Sequence, residues 1–163
     1  MWEGVENLQQ IGAHNRSGAR ALAVALAAAA LAGCGPEPSR AVPVECKEAS
    51  RAVERALARA PGDVRIGGRR ISECFAPGSD AADQQALGDT FVPVAGRLAV
   101  DARAHPRGPA PLRLGFLIGA VRRGAARGGV YAELERRLGQ EAVGVSARAT
   151  AFARGERAGR AHG

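Results

Sequence analysis

Aromatic residues are scarce in this chain: four Phe, one Trp and one Tyr among 163 residues, with alanine supplying most of the apolar content. That scarcity argues against a β-sandwich, whose inner faces favour Val, Ile, Thr and aromatic side chains, and favours closely packed alanine-rich helices. Lysine is nearly missing as well. Lys47 is the only one, so the formal charge of +7 is carried by arginine. The usual marks of catalysis are also absent: there is no HExxH, GxSxG, P-loop, CxxC or Asp-rich calcium loop. The three histidines, His14, His105 and His162, are not placed to pair with a nucleophile. No cofactor and no metal are expected. Long apolar runs are lacking too. The stretch Ala21 to Ala32 spans roughly 18 Å as a helix, against the roughly 30 Å a permanent membrane span must cross.

What surrounds that short run gives it a meaning. Arg16 and Arg20 precede it and small residues close it, the order of a secretory signal: basic region, apolar region, cleavage site. Its last four residues, Leu31-Ala32-Gly33-Cys34, resemble the bacterial lipobox. The resemblance covers residues 16 to 35 only. It implies a lipoprotein in which Cys34 is diacylglyceryl-modified, acylated and made the new N-terminus. It further implies export and a lipid anchor on the outer face of the cytoplasmic membrane, or in an outer membrane where there is one. The leader before the run departs from the pattern, being long and carrying Glu3 and Glu6; a start nearer Asn15 would restore it.

With Cys34 assigned to lipid, Cys46 and Cys74 remain as an even pair in a domain bound for an oxidising compartment, and a disulfide between them is expected. It would close a loop of roughly 28 residues, worth about 3 to 4 kcal/mol in the chain-entropy model. Between the anchor and the first helix, Pro36, Pro38 and Pro43 mark an extended tether.

Helical spacing then recurs along the chain. Cys46, Ala49, Val53, Ala56, Leu57 and Ala60 share one face of a helix from about Val44 to Ala60, stopped by Pro61-Gly62-Asp63. Val64 and Ile66 alternate with Arg65 before Gly67-Gly68, which allows a small hairpin. A loop leading into a short helical turn is preferred, because Ile71, Cys74 and Phe75 fall at i, i+3 and i+4. Ser79 or Asp80 can cap a long helix reaching Ala104, with Asp80 and Asp83 favourable at its N-terminus, and Pro93 should kink or split it. Pro109 and Pro111 open the next helix, in which Gly115 and Gly119 form a GxxxG spacing. In a bilayer that spacing would suggest dimerisation, but the apolar stretch is too short to span, so close packing within the chain is expected. Tyr131, Leu134, Leu138 and Ala142 define a final amphipathic helix, and the basic residues from Ser146 onward read as a disordered tail.

The expected fold is all-α: a small irregular bundle of four to five helices with one disulfide, behind a cleavable signal peptide. Its parts are a leader and signal over 1–33, a tether over 34–44, a helical domain over 45–145 and a tail over 146–163. The arginines read first as a solvated helix surface. The alternative is an anion-binding face made by Arg65, Arg69, Arg70, Arg122 and Arg123, suited to an anionic envelope partner rather than to specific recognition of nucleic acid. For function the leading expectation is a non-catalytic binding or structural domain, through contact with a protein or an anionic ligand. The alternative is a small hydrolase acting on envelope polymers, which needs a cleft holding two carboxylates, Glu73 with Asp89 or Asp101.

Overall fold

Five α-helices and one short hairpin make the fold, seen in a computed structural model that describes residues 41–47, 50–75, 77–126, 131–145 and 150–163. The signal run, Cys34 and most of the tether lie outside the described residues. The chain enters through a 3-10 turn at Val44–Lys47 and continues into α1, Ser50–Leu57. The single helix expected from Val44 to Ala60 is thus a 3-10 turn followed by a shorter α-helix, with Ala58 to Ala60 held in turns after it.

The stretch preferred as a loop contains a true hairpin. Strand β1, Arg65–Ile66, pairs antiparallel with β2, Arg69–Arg70. Gly67 and Gly68 both have positive φ, at 54° and 83°, the requirement of a tight two-residue hairpin turn. The expected helical turn follows as a 3-10 turn, Ile71–Cys74. It brings Cys74 to Cys46, and the disulfide forms between two fully buried cysteines with Cα atoms 5.5 Å apart.

Helix α2, Ala81–Ala104, is continuous through Pro93, which faces solvent. Loss of one backbone donor there neither ends nor divides the helix. Asp80 caps it, accepting from the Asp83 backbone N–H at 2.7 Å. Asp83 does a different job from the capping expected of it. Buried at the entry of the domain, its carboxylate accepts from the Val42 N–H at 2.7 Å and from Lys47 Nζ at 2.8 Å, so the sole lysine helps fasten the incoming chain to α2. Ser50 Oγ adds a bond to the Thr90 carbonyl at 3.1 Å.

Helix α3, Ala110–Ala125, begins behind Pro109, and twelve of its sixteen residues are buried, so it has no solvent stripe and runs through the core. Helix α4, Ala132–Glu141, lays Leu134 and Leu138 against the body. Phe75 meets Tyr131 edge to face, with ring centres 5.3 Å apart, and packs at a tilt against Phe91 at 5.5 Å, so the three aromatics form one contact group in the core.

The basic stretch expected to be a disordered tail is instead helical: α5, Thr150–His162, packs along α3. The reason is a glycine ladder. A methyl group on Gly115 would overlap the Phe152 carbonyl and one on Gly119 that of Glu156. From the other side, Gly155 abuts the Leu112 carbonyl and Gly159 that of Phe116. The GxxxG of α3 is answered by glycines at the same spacing on α5, so the backbones touch. One large apolar side chain, Phe152, is then enough.

Candidate functional site

The structure gives each arginine of the expected anion-binding face an internal partner. Arg65 Nε donates to both carboxylate oxygens of Asp63 at 2.8 and 3.0 Å, and its Nη1 to the Gly68 carbonyl at 2.9 Å. Arg69 lies 3.8 Å from Glu45. Arg70 Nε is 3.3 Å from Glu73 but is not aligned as a hydrogen bond, leaving that buried atom without a directional partner. Arg122 bridges Glu135, at 3.0 Å, and Glu156. Arg123 donates to the last carbonyls of α5, those of Arg160 and Ala161. The last two arginines therefore fasten helices: Arg122 joins α3 to α4 and α5, and Arg123 satisfies the negative end of α5. Burial works to raise the Glu156 carboxyl, but its hydrogen bond from Arg160 and the charge and hydrogen bond of Arg122 outweigh that and hold it below the usual range.

The carboxylates of the hydrolase alternative are likewise taken up separately. Glu73 accepts from the Arg70 backbone N–H at 3.1 Å, Asp89 from Gln85 at 2.8 Å, and Asp101 shares a 2.7 Å hydrogen bond with His105. Asp89 and Asp101 both stand exposed on α2. Among the described residues there is no group of three His, Cys, Asp or Glu able to hold a metal, and no helix long and apolar enough to cross a membrane.

A concave surface does form, at a place the residue pattern did not single out. A groove of about 270 Å³ lies between α1 and the hairpin, lined by Arg55, Arg59 and Arg65 above a floor of Ala52, Ala56, Ile66 and Gly67. Ala56 and Ile66 are buried, so that part of the floor belongs to the core, while Gly67 is exposed. The hairpin wall is held in place by Gly67, where any side chain would strike that of Glu45. The disulfide ties the turn before α1 to the turn after the hairpin, fastening the two walls to each other. Three guanidinium groups line this groove and no carboxylate does. Arg65 has its Asp63 partner outside the lining, while Arg55 and Arg59 have no ion-pair partner among the described residues.

The signal was present in the sequence as Arg51, Arg55 and Arg59 at four-residue spacing. Spacing alone marks such a row as a solvated face. Only the hairpin, folded back against α1, makes Arg55 and Arg59 one wall of a cavity; Arg51 stays outside it.

Compared with known protein-family models, curated proteins and solved structures, the chain matches none.

Proposed function

We propose that this chain is an exported envelope protein, anchored through lipid on Cys34, whose helical domain is a non-catalytic binding module presenting the arginine-lined groove. The observation that carries this reading is the buried Cys46–Cys74 disulfide, because such bonds persist in exported proteins and are rare in reducing compartments. It joins the order basic flank, apolar run and Leu31-Ala32-Gly33-Cys34 in pointing outward from the cytoplasm. The clamp of Asp83 on Val42 supports a tether that ends at a defined point on the domain surface.

The test replaces Cys34 with Ser and follows membrane fractionation together with metabolic lipid labelling. Loss of the label and release from the membrane are the expected results. Unchanged labelling and fractionation would overturn the lipoprotein assignment.

A further inference from the structure

We propose that the groove between α1 and the hairpin binds a phosphate group, as a monoester or a diester, through Arg55, Arg59 and Arg65. The inference rests on the reading of the domain as a binding module and names the chemistry that module takes.

Arg55 lies in the last turn of α1 and Arg59 four residues on, in the turns that follow the helix, and two like charges on one wall of a groove repel each other. No carboxylate among the described residues offsets this, and an anion held between them would. Arg65 faces them from the hairpin with its orientation already set. Asp63 and the Gly68 carbonyl occupy its Nε and Nη1, which leaves Nη2 outside those bonds. A fixed guanidinium loses little freedom when a ligand arrives.

The number of cations selects the ligand. One carboxylate is satisfied by the fork of a single guanidinium. A phosphate offers more oxygens and, as a monoester, up to two charges, and so engages several at once. A groove of about 270 Å³ has room for a phosphate head. A lipid headgroup and a free or polymer-borne phosphate share that head.

The test uses the full-length chain in neutral detergent, titrated with inorganic phosphate at constant ionic strength. A second arm measures retention on phosphatidylglycerol vesicles against phosphatidylcholine vesicles. We expect saturable phosphate binding, weakened by at least about tenfold in the double variant Arg55→Ala/Arg59→Ala. Arg107→Ala/Arg157→Ala, which removes the same charge from exposed positions elsewhere, should shift it less than twofold. Retention on phosphatidylglycerol that disappears in the first variant assigns the phosphate to a lipid headgroup; phosphate binding without that retention assigns it to a free or polymer-borne source. Equal weakening by both variants, equal affinity for acetate, or no saturable binding would overturn the inference. Absent phosphate binding with lipid labelling of Cys34 intact would remove the ligand assignment alone and leave the anchored domain standing.

Discussion

The seam between α3 and α5 and the groove between α1 and the hairpin both contain several small residues, yet one is shut and the other open. In the seam, Gly115 and Gly119 meet Gly155 and Gly159, and each glycine faces a backbone carbonyl of the other helix. With nothing larger in between, the helices close to contact. In the groove, Ala52, Ala56 and Gly67, together with Ile66, share the lining with the long side chains of Arg55, Arg59 and Arg65. A small residue brings surfaces together when its partner is small, and leaves a cavity when its partner is large and charged.

That contrast can be broken most strongly at the disulfide fastening the groove walls. Replacing Cys46 and Cys74 together by Ser should lower stability by about 3 to 4 kcal/mol on the chain-entropy model, measured as a drop in the urea midpoint. A change under about 1 kcal/mol would mean that core packing alone holds the walls together.

The seam should answer to a single methyl group. Gly119→Ala forces a Cβ into the Glu156 carbonyl and should cost about 1 to 3 kcal/mol. Gly139→Ala on α4 has open space around the added methyl and should instead stabilise by about 0.5 to 1 kcal/mol. Thermal unfolding of the two variants, run side by side, separates close packing from helix propensity. Equal shifts would contradict the seam.

The entry clamp should respond to acid. The hydrogen bond from Lys47, followed by that from the Val42 N–H, holds the Asp83 carboxyl below its ordinary range. A carboxyl lowered in the folded state contributes its stability in full above the unfolded value of about 3.9 and loses it as pH falls through the folded value. Exchange protection of the Val42 amide should therefore be constant above about pH 5 and decline below about pH 4. In Asp83→Asn it should be weaker and show no decline from this group.

The smallest effect on stability belongs to the groove cations. Arg55→Ala/Arg59→Ala removes two exposed side chains without ion pairs among the described residues and should stay within about 0.5 kcal/mol of the parent in urea. A larger loss would mean that these arginines support the fold rather than a ligand.

Much of the helical framework was legible in the residue pattern, because buried positions at helical spacing and proline or glycine stops are local signals. α2, α3 and α4 fall close to where those signals put them, and the pairing of Cys46 with Cys74 follows from there being no other partner once Cys34 is set aside. Pro93 does not split α2, because a proline facing solvent costs one hydrogen bond without forcing a break when neighbouring turns are packed. α5 was misread because its apolar content is low. Its stability comes from backbone contact through Gly155 and Gly159, which adds nothing to hydrophobicity and appears only when α3 supplies the matching glycines. Of the candidate anion face, Arg65 alone lines the groove, and its companions Arg55 and Arg59 look locally like ordinary solvated arginines.

The sequence by itself determined an all-helical class, a paired cysteine and the absence of familiar catalytic motifs, since composition, count and local period suffice for these. Tertiary structure alone decided that a glycine-rich basic stretch becomes a packed helix, that Asp83 clamps the chain entry, and which arginines share a groove. Those outcomes depend on which backbones approach each other and on where the fold places charges relative to one another.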